Sequence, residues 1–271
     1  MPVNTHPIIP ASLDIQSIRL VNLAIDEALC AIEAAIKSKQ PTRVAFVNAD
    51  CVNIAARDTT YRDSLSMMDW VFVDGIGMRI AGKILGQPVR DNVNGTDLFP
   101  RMCQSLANQG RSIYLLGGQP GIAEAAAAWA KSRFPGLVIA GIQHGYFKQS
   151  ENAAVFENIR SSQPDVLLVG LGAPRQEAWI NAHMQDTGAT VAIGVGGLFD
   201  YYSGNIPRAP LWMRKSGLEW VFRLTQEPAR LWKRYLIGNF TFMARISLDW
   251  LLSSKKVQPS KSDPASRRTA S

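Results

Sequence analysis

A chain of 271 residues with 46% hydrophobic content is long enough to bury one sizeable core plus an appendage. Its three cysteines, Cys30, Cys51 and Cys103, are odd in number and lack CxxC spacing, which argues against a disulfide framework or a thiolate zinc site and fits a reducing cytosol. The formal charge of +7 is uneven: residues 1–207 hold 16 Lys+Arg against 18 Asp+Glu and residues 208–271 hold 13 against 4, so an anionic partner is expected for the last quarter only.

The first residues, MPVNTHPIIPASLD, lack a basic segment followed by an apolar one, so no signal peptide is expected. No uncharged apolar run approaches the ~18–20 residues of a membrane span. A peripheral seat on a membrane is compatible with both facts.

In chain order, residues 17–23 are expected as an edge strand. Ile25, Ala28, Leu29, Ile32, Ala35 and Ile36 then recur at helical spacing, and the helix ends before Pro41. Residues 44–47 read as a buried strand running into Asn48, which is either a turn residue or part of a cleft. Helical segments follow at 51–57 and 59–67. The stretch WVFVDGIGMR at 70–79 organises the rest. Its four apolar residues read as a strand buried on both faces, with Asp74 at its C-terminal end, Gly75 and Gly77 beside it, and a helix over 78–85. A carboxylate there sits where open α/β sheets hold their ligands. The other reading is that Asp74 caps the next helix.

A loop over 86–94 leads to Gly95, Thr96 and Asp97 and a helix to about Asn108, with Thr96 or Asp97 as its cap. A strand at 112–116 runs into Gly117, Gly118 and Gly121 and the Ala-rich helix Ile122–Arg133. Strand, glycine turn and helix N-terminus together make an anion site. The turn is not GxGxxG, and no acidic residue follows at the ribose-contact position, so a dinucleotide fingerprint is not met. A strand at 138–141, a helix at 151–161 and a strand at 165–169 follow. The last of these enters Gly170, Gly172 and Pro174, with Pro174 expected in the first turn of a helix carrying Arg175, Gln176 and Glu177. A final core strand at 190–194 precedes Gly196, Gly197 and Asp200. This alternation predicts a Rossmann-like α/β fold, a mostly parallel sheet with helices on both faces. Three glycine-rich turns after three strands point to a phosphate-bearing ligand.

From Pro207 the texture changes. Trp212, Trp220, Trp232, Phe240 and Trp250 alternate with Arg214, Arg223, Arg230, Lys233, Arg234 and Arg245. Basic, aromatic amphipathic helices of this kind lie in the interface of an anionic bilayer; the alternative is a helical appendage packed on the core with a solvated Arg face. The organisation expected is therefore a core at 1–207, a membrane-associating helical appendage at 208–252 that a cut before Leu211 would remove without unfolding the core, and a polar, disordered tail at 253–271.

The blocks FVDGIGMRIAGKILG, NGTDLF, YLLGGQPGIAEAAA, GYF, PDVLLVGLGAPRQEAWI and AIGVGGLFDYYSGNIPRAPLWMRKSGLEWVFRLTQEPARLWKR, in this order and spacing, resemble the WecG/TagA/CpsF glycosyltransferases of bacterial cell-envelope assembly. The resemblance runs from about residue 44 to 233. It implies transfer of a sugar from a UDP-sugar to a polyprenyl-diphosphate-linked sugar, with inversion, at the cytoplasmic face of the membrane. It places the family's catalytic Asp on Asp74, with Val73 in place of a Pro. The family's Thr-x-Asn pair falls on Phe46 and Asn48, so only Asn48 carries over. Gln176 takes the place of its substrate-pocket Gln. An Arg usual before its V-x-G-x-D-L block is Asn92 here, with Arg90 nearby as a substitute. Its C-terminal arginines match Arg223, Arg230 and either Lys233 or Arg234, and Asp200 falls where the family contacts uracil or ribose; a loop or capping Asp is the other reading.

The residues suit that chemistry. An acceptor hydroxyl needs a carboxylate to take its proton, and such a base contributes ~10²–10⁴-fold. The departing diphosphate needs positive partners, and the chain has no Asp-x-Asp to hold a metal. Helix N-termini and C-terminal arginines are the substitutes. The expected set is thus Asp74 as base, with Asn48, Gly95, Asp97, Gly117, Gly118, Gly172, Gln176, Gly197, Asp200, Arg223, Arg230 and Arg234 binding substrate, and no metal or other cofactor. His144 and His183 read as structural. The expected partners are a UDP-sugar, a polyprenyl-diphosphate-linked sugar and an anionic membrane surface, without nucleic acid; a homo-oligomer is left open. The competing hypotheses are a non-catalytic, membrane-associated nucleotide-binding module and, against the missing fingerprint, a nicotinamide-dependent oxidoreductase.

Overall fold

The alternation of strands and helices closes into one eight-stranded sheet in the computed structural model, which describes residues 12–256. The strands are β1 (Ser12–Ile15), β2 (Ile18–Val21), β3 (Thr42–Val47), β4 (Trp70–Val73), β5 (Ser112–Gly117), β6 (Val138–Gln143), β7 (Val166–Gly170) and β8 (Val191–Gly194). Their order is β1-β2-β4-β3-β8-β7-β5-β6, with β1 antiparallel to β2 and every other pairing parallel. The Rossmann-like architecture expected from the sequence is therefore present. The start is different in detail. Residues 17–23 are not the edge; β1 is, because Gln16 and Ser17 take positive φ and turn the chain back as a tight hairpin.

Apolar strand runs are explained by burial on two faces. Ala45, Val47, Val71, Val73, Leu167 and Val169 face one hydrophobic layer, and Val44, Phe46, Phe72, Val166 and Leu168 face the other. The second layer is covered by α1 (Ile25–Ser38), α5 (Gly95–Asn108), α6 (Ile122–Arg133) and α9 (Leu198–Tyr202). The first is covered by α2 (Ala49–Ala55), α3 (Thr59–Ser66), α4 (Ile76–Ile84), α7 (Asn152–Ser162), α8 (Arg175–Thr187) and α13 (Gly238–Lys256). The short helices α10 (Leu211–Lys215), α11 (Glu219–Gln226) and α12 (Pro228–Trp232) come before α13.

Two helix starts differ from expectation. The cap of α5 is Asn94, whose Oδ1 accepts the Asp97 N–H at 2.7 Å, rather than Thr96 or Asp97. Pro174 is the residue before the first turn of α8, not within it.

The C-terminal helices are not a detached appendage. Phe242 and Ile246 of α13 are 1% and 0% exposed and belong to the core layer that holds Met78 and Ala81 of α4. Asn53 of α2 donates to the Gly238 carbonyl at 2.7 Å. A cut before Leu211 would remove Phe242 and Ile246 from that layer. Residues 253–256, expected in the disordered tail, are the last turn of α13. Residues 257–271 lie outside the described residues, as does His6.

Candidate active site

The connection leaving β3 leads to β4 on one side, while β8 lies on the other side and is reached from β7. The crevice outside the carboxyl ends of β3 and β8 is thus a topological switch point, where such sheets bind ligands. Asn48 follows β3, Asp74 follows β4, and the Gly196-Gly197 turn follows β8.

Asp74 is half-buried and does not cap α4, whose N-cap is Gly75. Its backbone N–H donates to the Val47 carbonyl at 2.9 Å, which ties the ends of β3 and β4. Desolvation pushes its carboxyl up to about 6; a hydrogen bond from the Asn48 side chain and the charge of Arg234 act in the opposite sense, while Glu219 and Asp97 add to the rise. Asn48 is tied to two elements. Its Oδ1 caps α2 by accepting from the N–H groups of Asp50 and Cys51 at 3.1 and 3.2 Å, and its amide also bonds to Asp74.

The roof comes from the C-terminal helices. Between α12 and α13 the chain takes one π-helical turn, Lys233–Ile237, closed by the Gly238 N–H on the Lys233 carbonyl. Arg234 in this turn reaches Asp50 at 3.1 Å and acts on Asp74, whereas exposed Lys233 stands over Trp232. Of the two residues the sequence registers allow, Arg234 is therefore the one that reaches the crevice side. Arg223 of α11 lies over the Tyr201 ring at 4.9 Å, and its Nη2 stands 3.9 Å from where a Cβ on Gly197 would be. The same Cβ would lie 3.4 Å from Asp200, so Gly197, Asp200 and Arg223 form one cluster. Arg230 is 62% exposed and donates to Glu227 at 2.5 Å; Glu227 also lies 3.7 Å from Arg223.

Other expected residues serve the frame around this crevice. Asp97 receives Asn94 at 2.8 Å and Arg208 at 2.5 Å, so both carboxylate oxygens are engaged inside the protein. Burial pushes its carboxyl up, but the Asn94 hydrogen bond and the Arg208 guanidinium outweigh it and hold the group below the usual range. A Cβ on Gly95 would stand 3.3 Å from the Phe46 ring, so this glycine admits the bulky residue that replaces the family Thr. Gly117 has φ +141°, and a Cβ there would meet the Gly170 carbonyl oxygen at 2.4 Å, which only glycine avoids. Gly118 and Gly172 follow β5 and β7 on the same edge of the sheet. Gln176 is 4% exposed, donates to Glu177 at 2.8 Å and accepts the Gly196 N–H at 2.8 Å.

Arg90 does not substitute for a site arginine. It forms a bidentate pair with Glu27 at 2.8 and 3.0 Å on the outside of the sheet, whereas Asn92 accepts the Gly75 N–H at 2.6 Å. Sequence reasoning missed Tyr201, Tyr235, Arg208 and Glu219. Tyr201 and Tyr235 both feel the charge of Asp74, and the sequence signal was the aromatic and acidic residues between the basic ones. A cavity of about 410 Å³ bordered by Arg19, Arg62, Asp69 and Trp70 contains none of the expected site residues. Among the described residues no group of three or more His, Cys, Asp or Glu could hold a metal ion, and no helix is long and apolar enough to cross a membrane.

The family model described as "Glycosyl transferase WecG/TagA/CpsF family" matches residues 13–256. An N-acetylglucosaminyldiphosphoundecaprenol N-acetyl-beta-D-mannosaminyltransferase of Bacillus spizizenii is 35% identical over 182 residues, which is 67% of this chain and 70% of that protein. A protein of the same name from Bacillus subtilis is 32% identical over 193 residues, 71% of this chain and 74% of its own length.

Proposed function

Because the chain belongs to the WecG/TagA/CpsF glycosyltransferase family, we propose that it moves a sugar of the N-acetylmannosamine type from a UDP-sugar to a polyprenyl-diphosphate-linked sugar. The observation that carries this reading is the carboxylate of Asp74 at a strand end, bonded to Asn48 and roofed by Arg234. A group pushed up to about 6 is ionised near neutral pH yet remains a competent proton acceptor.

Asp74 takes the proton of the acceptor hydroxyl as its oxygen bonds to the anomeric carbon. On the opposite side of that carbon the bond to the UDP oxygen breaks, and the configuration inverts. Arg223, beside Gly197 and Asp200, and Arg234 supply the positive charge that the leaving diphosphate needs. The N-termini after the glycine turns add oriented N–H groups. This residue set calls for no metal ion, so activity is expected to persist in excess chelator; loss of activity restored by Mg²⁺ or Mn²⁺ would overturn that part.

The acceptor is anchored in lipid, and the chain presents a surface suited to it. Trp212, Leu236, Ile237 and Phe240 are 64%, 55%, 53% and 77% exposed on helices rich in Arg and Lys. Lys and Arg near an anionic surface contribute ~1 kcal/mol each. Peripheral binding at the cytoplasmic face would bring the acceptor sugar to the crevice under the same helices. The test is UDP release over a panel of UDP-sugars with a short-chain lipid-diphosphate N-acetylglucosamine acceptor. Acceptor-dependent release with a UDP-N-acetylhexosamine supports the reading. No release with any donor, together with UDP binding, would leave a nucleotide-binding module instead.

A further inference from the structure

Glu219 opens α11 beside the crevice, and the reaction as described above gives it no role. Its Oε1 is fully buried and lies 3.6 Å from Arg208 Nε. Arg208 is fixed in turn: it donates to Asp97 at 2.5 Å and to the Thr96 carbonyl at 3.4 Å. An ionic chain from α5 thus holds Glu219 from behind. The side chain as a whole is 28% exposed, and Oε1 accepts no hydrogen bond from the described residues.

The charge of Glu219 acts on Asp74, Tyr201 and Tyr235, the groups that line the crevice. The negative charge of Glu219 repels that of Asp74 and adds to the rise of the Asp74 carboxyl. Hydrogen-bond donors brought by a ligand offset that cost, because a carboxylate accepts strongly from hydroxyl groups. Sugars carry such donors and phosphates do not. A part-exposed carboxylate with an ion-paired but unbonded oxygen therefore suits a polyhydroxyl ligand rather than an anion.

We propose that Glu219 is a substrate-contact residue that accepts a hydrogen bond from a sugar hydroxyl beside Asp74, with Arg208 as the positioning residue that fixes it. This rests on the glycosyl-transfer reading and adds to it the group that orients a sugar. The hydroxyl belongs either to the donor sugar or to the acceptor sugar, and the kinetics separate the two. The groups that act electrostatically on Asp74, or on which it acts, are Asn48 from the end of β3, Asp97 from α5, Tyr201 from α9, Glu219 from α11, and Arg234 and Tyr235 from the π-helical turn. Of the carboxylates among them, Asp97 has both oxygens hydrogen-bonded to Arg208 and Asn94, whereas Glu219 meets Arg208 only as an ion pair at 3.6 Å.

The experiment uses the full chain with Glu219→Gln, which keeps the shape, and Glu219→Ala, which removes the acceptor. Donor and acceptor KM, kcat, the pH profile and UDP affinity by calorimetry are measured for each. Expected are UDP affinity within about 2-fold of wild type and a kcat/KM lower by ~10-fold or more in the Ala variant, the scale of a hydrogen bond to a charged group. A rise confined to acceptor KM assigns the hydroxyl to the acceptor sugar, and one confined to donor KM assigns it to the donor sugar. In Glu219→Gln the acid limb of kcat/KM moves to lower pH, because a negative neighbour of Asp74 is gone. Unchanged kinetics and acid limb in both variants would overturn the proposal. So would loss of UDP affinity in parallel with turnover in Glu219→Gln, which marks a merely structural role. A wild-type protein that binds UDP but transfers no sugar would instead overturn the glycosyl-transfer reading on which the proposal rests.

Discussion

The side-chain carbonyl of Gln176 accepts the backbone N–H of Gly196 at 2.8 Å and so ties the start of α8 to the turn after β8. Family resemblance placed Gln176 in the substrate pocket, yet its amide is buried and its other end is spent on Glu177, itself 0% exposed. In this chain Gln176 shapes the turn that carries Gly197 and leads to Asp200. Replacing it by Ala strands the Gly196 N–H and the Glu177 carboxylate, a loss of about 1–3 kcal/mol for each buried group left unpaired. Gln176→Ala is expected to lower the denaturation midpoint and weaken UDP binding together. Weaker UDP binding at full stability would show direct contact instead.

Asp74 carries a pH signature of its own. A base with its carboxyl near 6 must be ionised to act, so kcat/KM should rise as pH passes through that value. The sign for stability is the reverse. The folded state holds this proton more tightly than the unfolded chain, whose Asp titrates near 3.8, so stability falls as pH rises from about 4 to about 6. Asp74→Asn removes that penalty. Thermal unfolding at about pH 8 should therefore show the variant more stable than wild type, with the advantage gone near pH 4. A variant less stable at both would contradict a strained ionised Asp74.

Arg223 and Arg230 are unequal. Arg223 is 18% exposed on its side chain and stands beside Gly197, whereas Arg230 is 62% exposed. Arg223→Ala should weaken UDP binding ~10-fold or more, as loss of a charge-assisted hydrogen bond implies. Arg230→Ala should have the smaller effect on UDP in solution. The reverse order in calorimetric titrations would mean that α12 moves when the nucleotide binds.

The two faces of the C-terminal helices have separable roles. Phe242 is 1% exposed, so Phe242→Ala should cost about 3–5 kcal/mol in chemical denaturation. Phe240, two residues earlier, is 77% exposed. The pair Trp212→Ser and Phe240→Ser should leave stability near wild type and reduce sedimentation with anionic liposomes. Undiminished liposome binding would place the membrane contact on another surface.

Most of the fold was legible because each buried strand is a short apolar run and each crossover has a 3.6-residue period. The position of Asp74 was legible too, since a lone carboxylate after WVFV stands out at a strand end. Arg208 was not, because pairing with Asp97 joins residues 111 apart and leaves no local pattern. Likewise, the stretch from Pro207 reads as one amphipathic texture, and nothing in its spacing tells that Phe242 faces the core while Phe240 faces out. The roles of the glycines were also mixed in the sequence. Gly117 is required by the approach of Gly170, and Gly95 lies close against the Phe46 ring, both contacts between segments far apart along the chain.

In the proposed reaction Asp74 drives transfer of a sugar from a UDP-sugar to a lipid-diphosphate-linked sugar. That role is tested most directly by following the glycosylated lipid product with wild type and Asp74→Asn side by side, on the donor that supports UDP release. Expected are product from the wild type, and from the variant UDP binding within about 2-fold but turnover lower by ~10²-fold or more. Near wild-type product formation by Asp74→Asn would contradict that role.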